Sequence, residues 1–282
     1  VIKKRLKLFL KILLTGVALY LVFNKIDTKT TWKVIQTAHP GWLFLAWVFF
    51  VISKFFSAIR LNIYFKDIGL NLPEIKNIKL YAIGMFYNLF LPGGIGGDGY
   101  KVYLLNKIHK TSVKQLLSAV LLDRGNGLAV LLWLLFCLML VLNLPWDFQV
   151  SMFWLGILGI VAIPPGFYLV MFLFFKQFMG TIPASTGFSF LNQGLQLFSA
   201  YFILVSLGVQ QQVIPYLFVF LVSSTVSVLP LTIGGVGARE LVFVLAHEYV
   251  GIDQNVAVAF SLLFFLISML TSLSGVFVKY KE

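Results

Sequence analysis

Ile95-Gly96-Gly97-Asp98-Gly99-Tyr100-Lys101 and Ile233-Gly234-Gly235-Val236-Gly237-Ala238-Arg239 are two copies of one pattern. Each follows a proline, Pro92 or Pro230, at the end of an apolar run, and each closes on a basic residue. Lipid offers no hydrogen-bond partner, so unwound backbone at membrane depth is tolerated only where protein buries it or where it lines a cavity. Corresponding breaks in the two halves of a hydrophobic chain point to a substrate site near the bilayer midplane, as in transporters.

Working outward, composition places the whole chain in the membrane. Its 282 residues are 60% hydrophobic and 11% charged, with a mean hydropathy of +0.94, too apolar for a soluble domain of this length. Cys137 stands alone within an apolar run, which excludes a disulfide framework, a zinc spacing or a redox pair. The net charge of +12 is carried mainly between the apolar spans, where it reads as topology and contact with anionic lipid headgroups; no nucleic-acid partner is expected. Lys3, Lys4, Arg5 and Lys7 precede an apolar run with no small-x-small cleavage site before Asn24, which reads as a retained first helix.

A crossing needs roughly 20 apolar residues. Such segments fall at about 6–23, 42–60, 115–142, 151–175, 190–208 and 255–278, giving six full crossings. The segments at about 78–91 and 213–229 run into the proline and glycine breaks and resume at about 98–107 and 238–249, which reads as two re-entrant helical hairpins. Basic residues then gather on one side, at Lys3 to Lys11, Arg60 to Lys79, Lys101 to Lys114, Lys176, Lys279 and Lys281. The opposite loops keep mainly Lys25, Lys29 and Lys33, so both termini are expected in the cytoplasm and the chain in the cytoplasmic membrane. The expected fold is all-α and polytopic, with residues 1–146 and 147–282 as inverted repeats whose hairpins enter from opposite sides. Full crossing by each hairpin as two short tilted helices is the alternative.

The residues able to carry chemistry are few. A glycine-rich tip before a helix start presents unpaired N–H groups and the positive end of a dipole, which suits a lipid phosphate. Gly96, Gly97, Gly234, Gly235 and Gly237 would supply that tip, and Lys101 and Arg239, one turn on, would add cations. The plainer reading is that the glycines permit a tight turn and close packing. Gly94 to Gly99 fits GxGxxG, but a membrane span and not a strand precedes it, so no dinucleotide site is expected, and there is no GxxxxGK[ST].

Asp123 and Arg124 fall in the middle of the span Leu116–Leu142. At about 1.5 Å per residue, Arg124 lies roughly 12 Å from the span's edge, close to the expected depth of the tips. Neighbouring helix positions diverge by about 100°, so each of the two needs its own partner. Intramembrane charge is costly, which makes a functional role the default and a structural ion pair the competing reading. Asp98 can cap its helix or pair with Arg124 or Arg239, and the pair is favoured. Asp98, Asp123 and Glu240 are the acids able to carry protons should movement be coupled to a gradient. Lys54, in the second span, is expected to snorkel toward the end near Arg60. His247-Glu248 is no HExxH helix, since residue 251 is Gly, and His39 and His109 lie in loops. No metal and no cofactor is expected.

At these motifs the chain resembles the lysylphosphatidylglycerol synthase transmembrane region, also called the flippase-like domain family. The resemblance is carried by Asn88 to Asp98, by Leu121-Leu122-Asp123-Arg124, and above all by Pro230, Gly234, Gly235, Gly237, Arg239 and Glu240. The family's aromatic-flanked arginine falls on Arg60. Gly125-Asn126-Gly127 departs from the usual leucines and acid, which predicts a locally loosened helix. The resemblance implies translocation of anionic or modified lipids. The family's synthases carry an aminoacyl-transferase domain after the membrane region; Glu282 follows the last span here, so lysyl transfer is not expected.

Anionic membrane lipids are therefore the expected partners, and a transporter is expected in place of an enzyme. Two other classes stay open: a non-transporting partner of a separate lipid-modifying enzyme or glycosyltransferase, and a membrane-embedded transferase on lipid-linked substrates. A scaffold has no use for Asp98, Arg124 and Arg239 in lipid, whereas a lipid carrier does.

Overall fold

A computed structural model of the chain describes residue 20 and residues 27–90, 95–142, 149–228 and 237–280. The expected first span, Pro92, Pro230, Gly234 and Gly235 lie outside the described residues. Among those described, every regular element is helical. They are α1 (Thr28–Gln36), α2 (Pro40–Asp67), α3 (Glu74–Phe90), α4 (Gly96–His109), α5 (Val113–Val141), α6 (Gln149–Phe174), α7 (Ile182–Ser206), α8 (Val213–Val228), α9 (Ala238–Val250) and α10 (Gln254–Leu273). Short 3-10 turns at Lys176–Thr181 and Ser274–Phe277 lead into α7 and out of α10. Five stretches are long and apolar enough to cross a membrane: Pro40–Asp67, Val113–Val141, Met152–Phe174, Lys176–Ser206 and Gln254–Phe277. These coincide with five of the six crossings expected from hydropathy.

Local chemistry sets the helix ends. Asp27 accepts hydrogen bonds from the N–H groups of Lys29 and Thr30, starting a short α1 within the segment expected as an outer loop. Pro40 stands in the first turn of α2, where its missing N–H costs nothing, and His39 Nδ1 accepts from the Gly41 N–H at 3.2 Å. Gly251 closes α9 at φ 68°, the left-handed conformation glycine adopts without a Cβ penalty.

α2 and α7 form the central pair, packed along each other. α3 and α4 make one hairpin, α8 and α9 the other. α3 lies on α10 and the turn after it, α8 lies on α5, and α6 packs on α5 toward the outside. Among the described residues, two large apolar clusters occupy the interior, with a small one at Val244 and Val258. Ala46 and Phe50 of α2, Leu131 of α5 and Ala200 and Ile203 of α7 join one; Leu61, Tyr64 and Phe65 of α2 and Leu116, Ala119 and Leu122 of α5 join the other. Between them the same helices bury polar groups: Ser53, Ser57 and Arg60, then Asp123 and Asn126, then Ser185, Ser189, Asn192 and Gln193. A polar band thus lies between two apolar layers.

The first hairpin is held by contact too close for a side chain. A Cβ built on Gly97 would stand 1.8 Å from the Gly84 carbonyl oxygen, so the backbones of α3 and α4 meet where neither residue has a side chain. Tyr87 and Tyr100 continue the contact, with ring centroids 4.3 Å apart.

The expected loosening at Gly125-Asn126-Gly127 does not occur, because α5 runs unbroken from Val113 to Val141. Gly127 is selected by close approach, and Asn126 by its hydrogen bonds. Gly127 lets the Arg60 guanidinium lie against the helix, where a Cβ would come within 3.1 Å of Nη1, and its carbonyl accepts from Gln193 Nε2 at 2.9 Å.

Candidate functional site

The polar band opens into a cavity of about 280 Å³. α2 contributes Lys54, Ser57 and Arg60; α3 contributes Tyr81, Met85 and Asn88; α4 contributes Asp98 and Lys101. The remaining wall is Asp123, Arg124, Gly127, Leu128 and Leu131 of α5, Asn192 and Gln193 of α7, and Val228 of α8. By the 1.5 Å rise, Arg124 stands ~17 Å into α5 from Val113, within the apolar span and not at its end.

Helical periodicity explains the convergence. Ser53, Ser57, Arg60 and Tyr64 follow one another at four-, three- and four-residue steps, which aligns them on one face of α2. Ser185, Ser189, Asn192 or Gln193, and Gln196 do the same on α7. Asp123, Asn126 and Gly127 are the matching positions of α5. The α7 stripe was the signal missed in the sequence, since small polar residues at three- and four-residue spacing in an apolar span mark an interior face.

Two charge clusters share the cavity. Arg60 Nε donates to Asp123 Oδ1 at 2.7 Å and its Nη1 donates to Ser189 Oγ at 2.8 Å, with both charged side chains almost wholly buried. Asp98 is bridged by two cations: Lys101 Nζ lies 3.1 Å from Oδ1 and Arg124 Nε donates to Oδ2. Asp123 and Arg124 do take separate partners, and of the alternatives for Asp98 it is the pair with Arg124 that forms. Arg60, counted with the basic residues gathered on one side of the membrane, and Lys101, counted there and also as a cation of the first motif, are both buried at the cavity, and Lys101 lies over the Tyr81 ring at 4.4 Å. Lys54 does not snorkel toward Arg60. Its ammonium turns back over Phe50, 4.4 Å from the ring centroid, because a helical side chain points toward the helix N-terminus.

The second motif is placed differently. Arg239 lies over Phe264 and Phe220, 4.7 and 5.9 Å from their centroids, and is not among the described residues lining the cavity. Glu240 is buried and accepts from the Gly237 N–H at 2.8 Å and from Ser261 Oγ at 2.9 Å, fixing the start of α9 where Gly237 takes φ 81°. In the first motif, the Gly97 N–H donates to Asn88 Oδ1 at 2.8 Å, so close packing engages this donor. Gly96 is the first residue of α4, and Gly234 and Gly235 fall outside the described residues. The three acids considered as proton carriers, Asp98, Asp123 and Glu240, each accept from donors named above.

Asn126 ties the band together. Its amide nitrogen lies 2.8 Å from Tyr64 Oη and 3.1 Å from Ser185 Oγ, and its carbonyl accepts from Ser189 Oγ at 2.6 Å. Interhelical hydrogen bonds within membranes contribute about 0.6 kcal/mol each, up to ~2, so Asn126→Leu should cost about 2 kcal/mol. Gly125→Ala, where the added Cβ meets nothing within 4 Å, should be neutral or stabilising by up to about 1 kcal/mol. Melting of the purified variants in detergent separates the two; equal melting would show that the network is not holding α2, α5 and α7 together.

Apolar crossing helices around a charged internal cavity define a multi-pass helical membrane protein with a polar site between its spans. The chain belongs to the Lysylphosphatidylglycerol synthase TM region family, whose model matches residues 8–183 and 177–275. It is also similar to UPF0104 membrane proteins of three archaea. That of Pyrococcus horikoshii is 24% identical, with 89% of this chain and 90% of that protein covered. That of Methanocaldococcus jannaschii is 27% identical over 65% of this chain and 88% of its own length. That of Methanothermobacter thermautotrophicus is 20% identical, with 83% of each covered.

Proposed function

We propose that this protein moves an anionic or phosphate-bearing lipid, such as a phospholipid or a polyprenyl-phosphate lipid, across the cytoplasmic membrane, as a transporter and not as an enzyme. One observation carries the reading: Lys54, Arg60, Lys101 and Arg124 converge on one cavity within the span-forming layer. Charged groups at that depth are costly unless they serve a ligand or one another, and four cations exceed the two carboxylates beside them. Anionic membrane lipids are the partners this requires.

The same reading includes two inverted repeats, residues 1–146 and 147–282, each with a re-entrant hairpin, and both termini in the cytoplasm. Reciprocal packing supports it: α3 of one hairpin lies on α10, α8 of the other lies on α5, and α2 and α7 pair with each other, as a two-fold relation demands. The hairpin helices hold 17, 14, 16 and 13 residues. At 1.5 Å per residue each falls short of the roughly 30 Å hydrocarbon core.

The test is a headgroup-accessibility assay in liposomes containing the purified protein and labelled lipids. Protein-dependent movement of anionic but not neutral lipids is expected. Arg124→Gln should slow it about tenfold or more, since a charge-assisted hydrogen bond is worth roughly 1.5–3 kcal/mol. Melting should change little, because Lys101 still holds Asp98. No movement above protein-free liposomes, or an Arg124→Gln protein as active as the wild type, would refute the assignment.

A further inference from the structure

Two cations of the interior, Lys54 and Arg239, have no carboxylate within ion-pair distance among the described residues. Both rest on aromatic faces. Lys54 covers Phe50 and Arg239 covers Phe264, and those two rings meet edge to face with centroids 5.5 Å apart. The two cations therefore bracket one aromatic pair at the margin of the cavity. A ring face offsets only part of what a charge costs at membrane depth. Each keeps a net attraction for an anion.

Charge counting within the cavity sharpens this. Among the described residues of the wall, Lys54, Arg60, Lys101 and Arg124 face Asp98 and Asp123, a formal excess of two positive charges. A phosphodiester brings one negative charge, while a phosphomonoester brings ~1.5–2 at neutral pH. The second of these matches the wall.

The tail has a place as well. A second hollow of about 160 Å³ lies between α2, α3 and the end of α10, lined by apolar groups including Phe55, Ala58, Ile78 and Ala82. Lys54, Tyr81 and Met85 belong to both hollows, so the polar and apolar spaces meet at these side chains. Phe55 is exposed on α2, so the apolar hollow reaches the surface of the helix bundle.

Resting on the lipid reading above, we propose that the site is specific for a dianionic phosphate headgroup, a phosphomonoester or a diphosphate, held at Lys54 with its hydrocarbon tail in the hollow beside Phe55 and Ala82. Inorganic phosphate shares the headgroup chemistry, so the test must separate the two sources. The purified full chain in a neutral detergent is titrated with phosphatidic acid, phosphatidylglycerol, glycerol 3-phosphate and inorganic phosphate, with binding read by native mass spectrometry and by thermal shift. Phosphatidic acid should bind about tenfold or more tightly than phosphatidylglycerol, the value of one added charge-assisted contact. Glycerol 3-phosphate and inorganic phosphate should bind much more weakly than phosphatidic acid, having no tail.

Lys54→Gln should melt close to wild type, since no carboxylate loses its partner, and should bring the two lipids within about twofold. Equal binding of phosphatidic acid and phosphatidylglycerol to the wild type would overturn the dianion assignment and leave lipid transport standing. Equal binding of inorganic phosphate and phosphatidic acid would overturn the tail site. Binding of none of the four by protein that melts normally would overturn the lipid reading itself.

Discussion

Asp123→Ala is expected to destabilise the protein by about 3–5 kcal/mol, because removing one member of a buried ion pair strands the other. Arg60 would be left almost wholly buried, with Ser189 Oγ as its one hydrogen-bond partner among the described residues. Arg60→Met combined with Asp123→Leu removes both charges and restores apolar volume, which in buried pairs is often neutral. The double variant should therefore melt well above Asp123→Ala, within a few degrees of wild type, and yet move lipid poorly, since the cavity keeps its net charge but has lost the Arg60 donor group. Heating detergent-purified protein and measuring the surviving monodisperse fraction decides the first point; the liposome assay decides the second. A single variant as stable as wild type would mean that the pair is not buried in the folded protein.

Gly97→Ala should be nearly as damaging, at about 3 kcal/mol, the upper end of overpacking costs. Its new methyl would stand 1.8 Å from a backbone oxygen of Gly84, which cannot rotate away as a side chain would. α3 and α4 would have to separate, carrying Asp98 and Lys101 away from Arg124 and stopping lipid movement. Gly99→Ala, two residues along the same motif, meets nothing within 4 Å and should fold and function normally, gaining up to about 1 kcal/mol in helix propensity. If Gly99→Ala were the damaging change, the motif would act through backbone freedom at its tip and not through packing at Gly97.

These contrasts mark the limits of reading the motifs in one dimension. The glycines of the first copy look alike in sequence, and the phosphate-tip and close-packing readings fit each of them. The Gly97 N–H is engaged by Asn88 and its α-carbon by α3, so packing accounts for that glycine. Gly125-Asn126-Gly127 gives way for a related reason: two glycines and an amide lower intrinsic helix propensity, but the packing and hydrogen bonds of Asn126 and Gly127 against α2 and α7 override it. Charge counting assigns Arg60 to the cytoplasmic end of its span because counting along a chain cannot tell a helix end that faces water from one that faces a packed interior; Lys101 is legible as a site cation only through the motif it closes.

Hydropathy together with the proline and glycine breaks marked five segments long and apolar enough to cross a membrane, the positions of the two helical hairpins, and Asp123 and Arg124 as charges inside a span. Those features are local: in lipid every backbone polar group must be satisfied within its own segment, so each span declares itself in about 20 consecutive residues. Which charge meets which was settled only by the tertiary structure. Arg60 and Asp123 are 63 residues apart, and Arg124 and Asp98 are 26 apart. Lys54 turns toward Phe50 and faces two hollows because of how α2 sits against α3, α7 and α10. Such pairings depend on the rotation and relative height of separate helices, and a change of one residue, about 100° of rotation, would assign every partner anew.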